Sequence, residues 1–137
     1  MSSHHMSTDE LRQMISDYME NGFLDNIIDM FRHDQSLYRL VGDLIRDGRV
    51  RVRIGATALI EELKRLDPGH ITAAVPSLLP LLAEAEHTLR GDAVNLLGII
   101  ADDSVLPVLH TMTGDPHAGV REMVIEAIAD IHAGQNR

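Results

Sequence analysis

Apolar and polar positions follow a helical period along most of the chain. Leu11, Met14, Ile15, Tyr18 and Met19 fall at i, i+3, i+4, i+7 and i+8, one apolar stripe on one helix. Ser7 and Glu10 have the spacing of a capping box that opens this helix, and Asn21-Gly22 closes it. Leu24, Ile27, Ile28 and Phe31 predict a shorter second helix, followed by a turn at His33-Asp34-Gln35-Ser36. Leu37, Leu40, Val41, Leu44 and Ile45 predict a third, ended by Asp47-Gly48.

From there the chain repeats itself. Three segments align without gaps, starting at Val52, Leu89 and Val120. Counting each start as position zero, position one is Arg53, Arg90 and Arg121. Position four is Ala56, Ala93 and Val124, position eight Ile60, Leu97 and Ile128, and position eleven Leu63, Ile100 and Ile131. These positions share one helical face, so each segment predicts an amphipathic helix. The match extends upstream: five residues before each start is an acid, Asp47, Glu84 or Asp115. Eleven residues before stand Val41, Leu78 and Leu109, and eight before stand Leu44, Leu81 and Met112. Each unit therefore reads as helix, short acidic turn, helix. The starts are 37 and 31 residues apart, and the longer step holds a loop at Asp67-Pro68-Gly69. A hairpin this small has too little interior to stand alone, so neighbours must stack and share a core.

These periods place 7–134 in a single all-α domain: an opening pair over 7–34, then repeats over 36–66, 71–101 and 103–132. Met1 to Met6 reads as a tag remnant, so its two histidines are set aside. The only aromatic residues, Tyr18, Phe23, Phe31 and Tyr38, lie in the first third, and the rest must pack with aliphatic side chains. A net charge of −9 disfavours binding to phosphate backbones. With no cysteine, thiolate metal sites, disulfides and cysteine nucleophiles are excluded. No apolar run approaches the roughly 20 residues of a membrane span, and no secretory signal is visible, so the expectation is a cytoplasmic protein.

The pattern resembles the HEAT-like repeat family in its short bacterial and archaeal form, known from phycobilisome lyase subunits. Val75-Pro76-Ser77-Leu78-Leu79-Pro80-Leu81-Leu82 is similar to the family's first helix. Asp115-Pro116, followed by Val120-Arg121, Val124, Ala127-Ile128 and Ile131, is similar to its turn and second helix. The resemblance covers roughly Leu37 to Ile131 and implies an α-solenoid of about four antiparallel hairpins wound into a right-handed superhelix. It also implies a structural ladder between neighbouring repeats, built from Asp47, Glu84 and Asp115 with Arg53, Arg90 and Arg121. An arginine beside a turn can satisfy orphan carbonyls and pair with an acid.

In such stacks the second helices line the concave face. The off-stripe residues Glu61, Glu62, Asp92, Val94, Asn95, Ile99, Glu122, Ile125, Glu126 and Asp130 would form it, an acidic surface with a few apolar anchors. This predicts a non-enzymatic scaffold that holds a protein or peptide with a basic patch, without nucleic acid or membrane. The alternative is a subunit of a chromophore lyase or another HEAT-like enzyme. No catalytic set, cofactor or metal is expected. The six histidines outside the tag are scattered, with no His-x-x-x-His pair and no His-Glu dipeptide of the kind an iron-binding HEAT-like hydroxylase uses. Gly42, Gly55, Gly91 and Gly98 stand inside predicted helices and predict close helix contacts. Met123 and Ile125 lie beyond the main stripe of the last helix and suggest an uncovered end, with a weak homodimer there or a chain cut from a longer array.

Overall fold

The computed structural model describes residues 6–135, and over these the chain is all-helical. The expected tag histidines lie outside the described residues. Eight α-helices follow in order among the described residues: α1 Thr8–Glu20, α2 Leu24–His33, α3 Val41–Arg46, α4 Val50–Leu66, α5 Val75–Leu78, α6 His87–Ile100, α7 Leu106–Thr111 and α8 Ala118–Gln135. Short 3-10 segments lead into α3, α5 and α7 and follow α5.

The local signals account for most boundaries. Ser7 and Glu10 form the capping box reciprocally: the Glu10 amide donates to Ser7 Oγ at 3.1 Å, and the Ser7 amide to Glu10 Oε1 at 3.2 Å. After α1 and α3 the chain turns through Gly22 (φ +85°) and Gly48 (φ +87°), a left-handed conformation that glycine adopts without steric cost. The continuous helix expected over Val75–Leu82 is divided instead: α5 ends at Leu78 and a 3-10 segment spans Leu79–Ala83. Pro80 explains the division, because it lacks an amide hydrogen and its ring crowds the carbonyl four residues back.

Each short helix packs on the long helix that follows it: α3 on α4, α5 and its 3-10 extension on α6, and α7 on α8. The long helices lie side by side in sequence order, with α1 on α4, α4 on α6 and α6 on α8. The stripe at positions zero, four, eight and eleven forms the core, buried throughout apart from half-buried Leu89 and Ile128. Position seven joins it through Leu59, Leu96 and Ala127. Near the start of the chain, Phe31 and Tyr38 meet edge to face at 5.4 Å. The buried Tyr38 hydroxyl donates to Asp67 Oδ2 at 2.9 Å, tying the first unit to the loop after α4. Burial and the neighbouring Asp67 push the Tyr38 hydroxyl well above its usual range.

The interior glycines mark close approaches. A Cβ on Gly98 would lie 2.9 Å from the Cβ of Ala127, and one on Gly42 would run into the Ser77 carbonyl. A Cβ on Gly55 would overlap the Met19 side chain. Gly91 is looser, with Val120 at 3.9 Å.

Candidate functional site: the faces of the second helices

The repeat register sorts the off-stripe residues of α4, α6 and α8 into two rows. One row consists of positions six and ten: Ala58 and Glu62, Asn95 and Ile99, Glu126 and Asp130. None of these is buried, and the α8 pair is exposed. The other row consists of positions two, five and nine: Ile54, Thr57 and Glu61, then Gly91, Val94 and Gly98, then Glu122, Ile125 and Ala129.

The second row is where neighbouring helices meet. In α6, Gly91 and Gly98 abut Val120 and Ala127 of α8. Val94, between them, is 0% exposed. The expectation that Val94 anchors a partner is thereby corrected: its side chain is sealed in the core and can touch nothing outside. The cause is Gly98, one turn along, which lets α8 close over it. Ile125, at the same position of α8, is 64% exposed.

Asp92 also has an internal role. Arg53 Nε donates to Asp92 Oδ2 at 2.7 Å and Arg53 Nη2 to Asp92 Oδ1 at 3.3 Å, a two-pronged bridge from α4 to α6. The Asp92 hydrogen bond raises the Arg53 guanidinium above its usual value. Glu62 is engaged by Arg65 one turn along at 2.8 Å. Glu61, Glu122, Glu126 and Asp130 make no ion pair among the described residues.

The ladder follows the expected scheme at one rung. Arg90 Nε and Nη2 each donate to a carboxylate oxygen of Asp115 at 2.9 Å, across the gap to the next unit. Its Nη1 donates to the carbonyls of Glu84 and Ala85 at 2.9 Å. Arg121 donates to the Asp115 carbonyl at 2.7 Å, the contact Arg90 makes with Glu84. The first rung differs. Asp47 is taken by Arg49 Nε at 2.7 Å, only two residues on, and Glu84 is paired with Arg46. Arg53 is thus left for Asp92. Hydrogen bonds from Arg49 hold Asp47 below the usual carboxylate range, and those from Arg90 do the same for Asp115.

Two apolar contributors escape the repeat pattern. Val50 and Ile54, one turn apart on α4, are 62% and 65% exposed. The signal for Ile54 lies at position two, where an isoleucine stands in α4 against a glycine in α6 and a glutamate in α8. At the far ends of α4, α6 and α8 a cleft of about 700 Å³ opens, lined among others by Lys64, Ile71, Ile99, Asp102 and Asp130. Lys64 Nζ donates to the Ile100 carbonyl at 2.6 Å and bridges its wall. At the near ends, the rings of His87 and His117 stack at 3.9 Å.

Among the described residues, no group of three or more His, Asp or Glu side chains is placed to hold a metal ion. No described helix is long and apolar enough to cross a membrane. No family model, curated protein or solved structure matches the chain.

Proposed function

We propose that the chain is a HEAT-like α-solenoid that serves as a binding scaffold, and that its partner is a protein or peptide with basic and aliphatic side chains. The observation that carries this reading is the row at positions six and ten. It runs across three successive helices, none of its residues is buried, and it ends in two exposed acids, Glu126 and Asp130, without cationic partners among the described residues. Ile99 lies in this row, and Val50 and Ile54 supply further aliphatic surface on α4. Exposed apolar side chains bordered by acids favour a basic, partly apolar ligand, with the charges setting orientation and encounter rate.

The test is affinity capture from lysate of the source cells, comparing wild type with Glu126→Lys, Asp130→Lys. Both residues are exposed, so the substitutions leave stability within about 0.5 kcal/mol. A basic protein held by wild type and lost by the double variant supports the reading. Equal capture by both overturns the assignment of this row. Asp92 is unsuitable for such a test, because reversing it places like charge against Arg53.

A further inference from the structure

The outer face of α8 reproduces the face by which α6 docks on α8. Val94 of α6 is enclosed at position five, and Ile125 of α8 stands 64% exposed there. At position nine, Gly98 lets α8 approach, and α8 itself presents the small residue Ala129. At position one, Arg53 and Arg90 each bind a carboxylate of the following unit, Asp92 and Asp115. Arg121 has no carboxylate partner among the described residues. This row is therefore shaped to receive a helix that brings an apolar seat for Ile125 and an acid for Arg121.

Such a surface exists at the other end of the same fold. On the side of α1 opposite Met19, which touches Gly55 of α4, lies a shallow, open groove of about 570 Å³ with an apolar floor. Met14 and Tyr18 line it; of the acids at its border, Asp9 and Asp17 pair with Arg12 and Arg49, and Glu10 has no cationic partner among the described residues. Tyr18 is 38% exposed and meets the exposed ring of Phe23 edge to face at 5.7 Å. A helical stack normally closes with polar surfaces, and each of these faces carries exposed apolar side chains among its acids: Ile125 on α8, Tyr18 and Phe23 at α1.

We propose that copies of this chain associate head to tail, with Ile125 of one copy seated in the α1 groove of the next and Arg121 facing its bordering acids. The contact joins two different surfaces, so it leaves one free knob and one free groove at the ends of every open oligomer and none in a closed ring. An exposed aromatic beside an aliphatic knob is a composition that carries binding energy at interfaces. The chains carry a net charge of −9 and repel one another, so the association strengthens as salt screens that repulsion.

Sedimentation velocity from micromolar to millimolar protein, near physiological salt, tests the proposal. Wild type is expected to grow with concentration into a series of oligomers. Ile125→Asp removes the knob and Tyr18→Asp the groove, each weakening self-association by roughly tenfold or more. Mixed together, the two variants are expected to form 1:1 dimers and nothing larger, because each retains the surface the other lacks. Tyr18→Ser replaces Tyr18→Asp if circular dichroism shows that the charge loosens α1. Wild type that stays monomeric throughout overturns the proposal. So does a mixture that forms no dimer while wild type associates, since the contact would then join like surfaces. The substitutions are separate from those at Glu126 and Asp130, so each reading fails on its own.

Discussion

The contact between α6 and α8 and the contact between α4 and α6 use the same repeat positions and differ in closeness. Along α6 and α8 the backbones approach until Gly98 has no room for a Cβ beside Ala127. Between α4 and α6 the corresponding row stays open, with Ile54 65% exposed and Glu61 exposed. Position nine makes much of the difference: burying Glu61 without a partner would cost far more than the apolar contact returns, whereas Gly98 has nothing to desolvate. The polar links follow the packing. Arg90 and Asp115 pair in a buried setting, with side-chain exposures of 12% and 6%. Arg53 and Asp92 bridge a wider seam at 29% and 26%. One repeat pattern therefore builds a stiff joint between α6 and α8 and a softer one between α4 and α6.

The strongest way to break the stiff joint is Asp115→Ala. It leaves the enclosed Arg90 without its carboxylate and removes the acceptor for the His117 amide, 2.9 Å away. Breaking this pair from one side is expected to give the largest loss of stability among these variants, read as a lower urea midpoint. The cost depends on pH with a definite sign. Arg90 holds the Asp115 carboxyl below its ordinary value in the folded protein, so its contribution is fully present above the unfolded pKa of about 4. It is lost as pH falls through the folded pKa. The stability gap between wild type and Asp115→Asn should therefore be constant at neutral pH and close in strong acid. A gap that widened on acidification would exclude this pairing as the cause.

Next in size is Gly98→Val, which puts a branched side chain where even one carbon meets Ala127. Overpacking here should cost about 2 kcal/mol, visible as a lower thermal midpoint. The same residue is acceptable at the open seam, so Glu61→Val should change stability by less than about 0.5 kcal/mol. Equal losses at both positions would mean that the two joints do not differ in closeness.

Much of this contrast is legible in the order of residues alone. Gly98 inside a helical stripe predicts a close contact, and the stripes of all three repeats place the core correctly down to Leu63, Ile100 and Ile131. Helix boundaries follow from the Ser7–Glu10 box and from Asn21-Gly22 and Asp47-Gly48. What periodicity cannot do is divide the off-stripe residues by neighbour. It separates core from non-core, and both flanks of a helix look alike to it. Val94 therefore falls into one group with Asn95 and Ile99, although it lies under α8 and they do not. The partners of Arg53 and Arg90 are equally hidden. Which acid an arginine reaches depends on how far apart the helices stand and on competitors such as Arg49, and neither distance nor competition is encoded in spacing alone.

The smallest expected effect concerns the soft seam itself. Asp92→Ala removes the two hydrogen bonds from Arg53, but both side chains keep about a quarter of their surface in water, so the free arginine is solvated again rather than stranded. The loss should be about 1 kcal/mol or less and should shrink as salt is raised, as for other partly exposed ion pairs. Amide exchange measures where the change is felt. Opening confined to the adjoining turns of α4 and α6, with α8 unchanged, would show that the seam yields locally while the α6–α8 joint holds. A loss of protection spread evenly to α8 would show instead that Arg53 and Asp92 brace the whole stack, and the distinction between the two joints would fail.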